Sequence, residues 1–332
     1  MKRKAALFFN YPAIDGDVYG QGRRQRVAVL TELYPHVVHT GNFDEHAPHL
    51  ADVEVIFATW GMIRFEERHF RAMPKLEAVF YAAGNVKTFA EPLIQHGVTL
   101  VSAWEANAIP VAEMCLAQIL LSLRGYFRSA RGYRELKTHD AKTFRKAGVN
   151  GETVGMIGMG KIGTRITMLL KDYPLKVIAH DPYLTENRAS SLGVERVSLA
   201  QVFTRSLVVC NHIPDLPSTK GVLGREQFAA MREGATFINT GRGAQVVEAD
   251  LIEVLRARPD LTALLDVTWP EPPAEDSPLW SLPNLIISPH IGGTTGDEVV
   301  RLADLVIKEF ESWDAGSGLT QQVTAEVLAT MG

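Results

Sequence analysis

Short apolar runs alternate with helical patterns through most of the 332-residue chain, and this rhythm limits the fold more than any other feature. In the first third the runs are AALFF, VEVIFAT, LEAVFYAA and VTLVSA. Further on they are TVGMIG, KVIAH, LVVCN, TFINT, LTALLDV and LIISPH. A run that is apolar throughout, rather than at every second position, is a strand covered on both faces, the mark of a parallel sheet with helices on either side. Two such series, each near domain size, predict an α/β chain built from two doubly wound parallel-sheet domains.

The seam is expected at two long helical patterns. VAEMCLAQILLSLRGYF lies between the two series, and TTGDEVVRLADLVIKEF follows the second, with Thr295 and Glu298 at capping-box spacing. The stretch from there to Gly332 is too short for a domain and is expected to return to the first. The expected division is therefore 1–104 with 297–332, and 105–296.

Bulk properties narrow the partners. A net charge of −4 gives no sign of a nucleic-acid or membrane surface. Cys115 and Cys210 match no metal spacing and suit a reducing, cytoplasmic setting. The opening MKRKAALFFNYP reads as a first strand over Ala5–Phe9, since its apolar run is short for a signal segment and no small-residue cleavage site follows. No apolar run reaches bilayer length, and the nearest, Val111–Leu123, carries Glu113 and Gln118 and reads as a packed helix.

GETVGMIGMGKIGTRI supplies Gly158, Gly160 and Gly163 in GxGxxG spacing. The motif follows a strand-like run and opens a helical one, and a second strand, KVIAH, leads into Asp181. Together these form a dinucleotide fingerprint, which makes the second series a Rossmann domain. Gly158 allows the tight turn, Gly160 lets backbone approach a pyrophosphate, and Gly163 lets helix and sheet pack closely. Amides at the helix start then face phosphate charge. Asp181 is placed to accept from ribose hydroxyls and to repel a 2′-phosphate, favouring NAD over NADP, although Lys161 and Arg188 are cationic neighbours in sequence.

Three polar stretches end later strands. INTGRG carries Arg242 between two glycines, LLDVTWPEP carries Asp266 and Glu271, and ISPHIGG carries His290. In a doubly wound sheet, ligands bind beyond the carboxyl ends of the strands. Arginine offers a planar fork of donors to a carboxylate or carbonyl. Histidine exchanges a proton near neutral pH, and a neighbouring glutamate stabilises its imidazolium and fixes its tautomer. Pro289 and the glycines after His290 are expected to aim the imidazole into a cleft. Each residue alone could equally be structural; the three together point to catalysis.

With these motifs in place, the chain resembles the D-isomer-specific 2-hydroxyacid dehydrogenases, the group that includes phosphoglycerate dehydrogenase, glyoxylate/hydroxypyruvate reductase and D-lactate dehydrogenase. The resemblance is carried from about Val98 to Arg301 by IPVAEMCLAQILLSLR, GETVGMIGMGKIG, HDPY, CNHIPDLPSTKGVLG, FINTGRGAQVVEADL, LDVTWPEPPAEDSPLW and NLIISPHIGGTT. It implies a smaller flavodoxin-like substrate domain beside the Rossmann domain. It implies that Arg242 binds substrate, that Glu271 supports His290, and that His290 is the acid/base. A cofactor set of Gly158, Gly160, Lys161, Ile162, Gly163, Asp181, His212, Ile213, Pro214, Thr240, Asp266 and Gly292 follows, with Asp266 near the nicotinamide carboxamide. Ala83, Gly84 and Asn85 stand where the family offers amides to the substrate carboxylate, although Asn85 could equally be a turn residue.

Similar proteins are homodimers built around the segment after Ala112. The sequence departs from the family in having Val247 where an acidic residue is common, with Glu248 next, Asp215 and Pro217 in the HIPDLPST stretch, and AAGNVKTF in place of SAGVDN. The implied reaction is hydride transfer between NAD(H) and C2 of a small 2-keto or D-2-hydroxy acid, with no metal. Trp60, Tyr81, Asn85, Trp104 and Trp269 are candidates to shape the pocket. The competing reading is an NAD-binding corepressor or sensor without turnover. A formate or phosphite dehydrogenase is another, with Glu271 counting against formate. A hydrolase of the adenosylhomocysteine type is a remote one.

Overall fold

The computed structural model describes residues 1–10, 18–138 and 148–331. The chain divides into two compact units, Met1–Asn107 with Thr294–Met331, and Ala108–Gly293. The seams expected from sequence, after 104 and before 297, stand three residues from these.

The first unit is a five-stranded sheet of β1 (Lys4–Phe8), β2 (Glu32–Val38), β3 (Val55–Ala58), β4 (Ala78–Tyr81) and β5 (Thr99–Ser102), in the order β2-β1-β3-β4-β5. Every pairing is parallel. This is the flavodoxin-like order. Alternation along the strands divides the core in two. Leu7, Phe57 and Phe80 face one side, while Phe8, Ile56 and Val79 face the other. The helix Val300–Asp314 covers the first side with Leu302, Val306, Ile307 and Phe310, all at most 2% exposed. Each such side chain contributes roughly 1.5–3 kcal/mol by leaving water. That burial is why the end of the chain returns to the first sheet. The expected cap is present, as the Thr295 N–H donates to Glu298 Oε1 at 3.4 Å.

The second unit is a seven-stranded sheet of β6 (Thr153–Ile157), β7 (Lys176–His180), β8 (Glu195–Arg196), β9 (Val208–Asn211), β10 (Thr236–Asn239), β11 (Thr262–Leu265) and β12 (Leu285–Ile287). Its order is β12-β11-β10-β9-β6-β7-β8, again wholly parallel. The chain runs outward from β6 through β7 to β8, then crosses to β9 on the other side of β6. The strand order therefore reverses between β6 and β9, and ligands bind such sheets at that point. The two doubly wound parallel sheets, one of Rossmann type, agree with the fold read from sequence.

Two strands escaped that reading. β2 (ELYPHVV) is an edge strand with Pro35 in it and only Val38 buried, and β8 is an edge strand of two exposed residues. Edge strands tolerate proline and polar residues because one side of the ladder is unpaired. A second correction concerns the long helix. It spans Trp104–Leu123, and its 20 residues are enough, by length and composition, to cross a bilayer. Val111, Ala112, Cys115, Ile119 and Leu123 nevertheless belong to the core of the second unit, the placement expected of a packed helix.

Candidate active site

The glycine turn sits at the carboxyl end of β6. Gly158 has φ +90°, and a Cβ on it would stand 2.8 Å from the carbonyl oxygen of His212 at the end of β9. A Cβ on Gly163 would stand 2.2 Å from the Gly158 carbonyl oxygen. These two glycines are required by the protein's own packing. Gly160 differs, since a Cβ there would meet nothing within 4 Å. Gly160 also caps the helix Lys161–Leu169 without a side-chain bond, and no acidic residue occupies its first turn. The open space and uncapped amides fit a pyrophosphate. Asp181 is fixed at the end of β7, its carboxylate accepting from the Met159 N–H at 2.6 Å and the Tyr183 N–H at 2.7 Å. The Arg188 guanidinium donates to the Met159 carbonyl and to Thr164 Oγ1, which places a cation at the same turn. Lys161 is exposed, and Ile162 packs partly against the core.

Across the switch point, His212 is 9% exposed, and burial pushes its pKa down to about 3. A neutral imidazole accepts at one nitrogen and donates at the other. Its Nδ1 lies 3.2 Å from Thr240 Oγ1, which in turn lies 3.2 Å from Cys115 Sγ. Burial raises the Cys115 thiol to about 12, so it stays protonated and can donate to Thr240, leaving the Thr240 hydroxyl to donate to His212. His212 Nε2, which then carries the proton, is buried with no partner among the described residues.

Arg242, Glu271 and His290 follow β10, β11 and β12, three neighbouring parallel strands, so all three leave the same edge of the sheet. His290 Nδ1 and Glu271 Oε1 are 2.6 Å apart, with side chains 46% and 39% exposed. A pair this open, an ion pair only when the imidazole is protonated, adds little to stability, about 0–1 kcal/mol. His290 takes φ +53°, a left-handed conformation uncommon outside glycine.

Asp266 holds that turn in place. Its carboxylate accepts from the Ser288 hydroxyl at 2.6 Å, the Ile291 N–H at 2.9 Å and the Gly292 N–H at 2.8 Å. Its backbone carbonyl accepts from the His290 N–H at 3.0 Å. A Cβ on Gly292 would stand 2.8 Å from Asp266 Oδ2. The carboxylate packed beneath Gly292 is thus what calls for glycine after His290, rather than clearance for the imidazole.

The Arg242 loop supports the Glu271 loop directly. A Cβ on Gly243 would fall 2.0 Å from the Thr268 carbonyl carbon, so the two backbones are in closest packing. Glu248 Oε1 accepts from the Trp269 N–H at 2.7 Å, and burial raises the pKa of that carboxyl. Beneath Arg242, three wholly buried amides, Asn211, Asn239 and Gln245, bond to one another and to the surrounding loops. Sequence reasoning missed them, and it marked Glu248 only as the acidic residue next to Val247. Strand-end asparagines look like turn residues, and partners 28 and 34 positions apart leave no local signal.

In the first unit, Ala83, Gly84 and Asn85 follow β4. Ser102 Oγ donates to the carbonyls of Ala83 and Gly84, and Asn85 Oδ1 accepts from the Lys87 N–H at 2.9 Å, which makes Asn85 a turn former. Tyr81 and Trp104 pack in the hydrophobic core of that unit, whereas Trp60 and Trp269 are 36% and 66% exposed. Among the described residues, no group of three or more His, Cys, Asp or Glu side chains is arranged to hold a metal ion.

Comparison with known proteins gives the family. The family model for the D-isomer specific 2-hydroxyacid dehydrogenase NAD binding domain matches residues 116–292. D-3-phosphoglycerate dehydrogenase of Archaeoglobus fulgidus is 30% identical over 265 residues, 76% of this chain and 50% of that protein. The Methanocaldococcus jannaschii protein of the same name is 33% identical over 237 residues, 71% of this chain and 45% of that one. The chain thus spans about half the length of these relatives. A phosphoglycerate oxidoreductase from Rhizobium etli shares the fold with a TM-score of 0.81 at 21% identity, covering 99% of this chain and 100% of that one. D-mandelate dehydrogenase of Rhodotorula graminis does so at 0.79 and 21%, covering 97% of each. Each relative named here carries a dehydrogenase or oxidoreductase name, and none supports the sensor reading. With more than half of its length matched to the family's nucleotide-binding domain, the chain belongs to the D-isomer specific 2-hydroxyacid dehydrogenase family.

Proposed function

We propose that the chain is an NAD(H)-dependent oxidoreductase that interconverts a small 2-keto acid and its D-2-hydroxy acid. The observation that carries this reading is the His290–Glu271 pair, 2.6 Å apart on the sheet edge that also carries Arg242 and the glycine turn. Bound NADH would supply the hydride delivered to C2 of the keto acid. His290 donates a proton to the C2 oxygen as negative charge develops there, and Glu271 holds the imidazolium that makes the donation. Arg242 binds the carboxylate and polarises the carbonyl. Gly158, Gly160 and the amides of the helix Lys161–Leu169 hold the pyrophosphate, with Ile213, Pro214 and Thr240 on the far side of the switch point.

Asp181 takes the ribose hydroxyls and favours NAD over NADP. Asp266 and Gly292 serve the cofactor side through the turn they build. Ala83, Gly84 and Asn85 keep their proposed role as amide donors to substrate. The exposed apolar side chains Leu121, Tyr126, Tyr133 and Leu136 support a homodimer around the segment after Ala112, to be checked by light scattering of the purified protein. Two buried free thiols suit the cytoplasm.

The test is NADH oxidation with glyoxylate, hydroxypyruvate, pyruvate and phenylpyruvate, and NAD reduction with 3-phosphoglycerate. His290→Ala should bind NADH as the parent does and lose at least about a hundredfold in turnover with the best substrate. Turnover near the parent value would remove His290 from the chemistry, and no turnover of any acid by the parent would remove the function.

A further inference from the structure

The amides beneath Arg242 form a closed network. Asn211 Nδ2 donates to Asn239 Oδ1 at 3.0 Å and to Gln245 Oε1 at 2.6 Å. Gln245 Nε2 donates to the carbonyls of Ile213, at 2.6 Å, and Pro214, at 3.0 Å. Gln245 Oε1 also accepts from the Arg242 N–H at 3.1 Å, and Asn239 Nδ2 donates to the Arg242 carbonyl at 3.2 Å. Asn239 Oδ1 accepts from the Gly241 N–H as well.

Only one orientation of Gln245 works. Flipping its amide would set its NH2 against two donors and its oxygen against two carbonyls. All three side chains are 0% exposed, so every bond is made in a low-dielectric interior where a lost partner is costly. A backbone turn at the end of β10 could be closed by one asparagine. Here both backbone groups of Arg242 are held, and the same glutamine grips the loop on the other side of β9, where β6 and β9 part.

We propose that Asn211, Asn239 and Gln245 are a positioning network that makes Arg242 depend on an occupied dinucleotide loop. The inference rests on the proposed function, in which Ile213 and Pro214 face the cofactor and Arg242 takes the substrate carboxylate. Ligand pressing on 213–214 is passed through one rigid amide, Gln245, to the backbone of Arg242, so the guanidinium is set for a carboxylate once the dinucleotide is in place. None of the three amides touches the reacting atoms.

The experiment uses oxamate, a 2-keto acid analogue that accepts no hydride, titrated against the whole protein with and without saturating NADH. The parent should bind oxamate at least about fivefold tighter in the presence of NADH. Gln245→Met, matched in length and without donor or acceptor, should bring that factor below about twofold. In the same variant NADH affinity should change less than about threefold, while kcat/KM for the keto acid should fall at least about tenfold. Asn211→Leu should act in the same direction. Hydrogen exchange of residues 242–246 in the parent, beyond the cofactor-facing Thr240, should slow when NADH is added. That measurement also decides the matter if both variants fail to fold.

Unchanged exchange there, no NADH-dependent gain in oxamate affinity by the parent, or a folded Gln245→Met that keeps the full gain, would overturn the proposal. A parent that binds NADH yet turns over no keto acid would instead overturn the proposed function.

Discussion

Acidification should weaken the second unit through one residue. His212 is buried, and loss of hydration pushes its pKa down to about 3. In the unfolded chain the imidazole titrates near 6.5. The folded pKa is therefore the lower, so the unfolded state takes up the proton first. Stability from this group is complete above about pH 6.5 and is lost as pH falls from there towards 3. Each pH unit inside that window costs about 1.4 kcal/mol. Between pH 7.5 and pH 5.0 the residue should remove about 2 kcal/mol, and roughly 5 kcal/mol once the window is crossed.

The measurement is urea unfolding of the parent and of His212→Asn at both pH values. Asparagine keeps an acceptor for the Thr240 hydroxyl and does not titrate. Its smaller volume costs stability equally at both pH values, so the difference of differences isolates the proton. The parent should lose about 2 kcal/mol more than the variant over this interval. Equal losses would mean that His212 is hydrated or charged in the folded protein, and the argument from its burial would fail.

Other expectations follow from the same geometry. Gly243→Ala would drive a Cβ to 2.0 Å from the Thr268 carbonyl carbon. It should cost about 3 kcal/mol, at the upper end for overpacking, read as a fall in unfolding midpoint together with lost turnover. Asp181→Ala should narrow the preference for NADH over NADPH by about tenfold, one charge-to-phosphate repulsion being worth of the order of 1.4 kcal/mol. It should also weaken NADH binding, because the Met159 and Tyr183 amides lose their acceptor. Cys115 and Cys210 are buried with raised pKa values. Neither should react with Ellman's reagent in the folded protein, and both should react in urea.

The sheets were legible because their central strands are buried on both faces and contain little but apolar residues. β3 and β4, for example, are VIFA and AVFY. β2 and β8 were not, because an edge strand answers to one neighbour and to solvent, and neither demands an apolar pattern. Residues with chemistry of their own, such as His290 and Arg242, were visible where they follow strands. The side chains that hold them were not. Nothing local to Asp266 predicts that its oxygens would bind residues 288, 291 and 292, and nothing in CNHIP predicts a partner in GAQ. Gly292 was legible as important for a mistaken reason: the carboxylate beneath it, rather than the imidazole beside it, demands the missing Cβ.

The interlock of Gly243 with Thr268 also bears on how such a protein can change. With two chain segments jammed at backbone level, neither can drift alone, and an insertion in one must be answered in the other. Any broadening of the acids accepted would then fall to segments free of that interlock. A randomised library confined to residues 241–248 and 266–272 should yield mostly misfolded clones, whereas one confined to the exposed Trp60 and Arg64, which leaves Gly61 packed on Asn10 and the buried Thr59 and Ile63 untouched, should yield folded clones with altered preference.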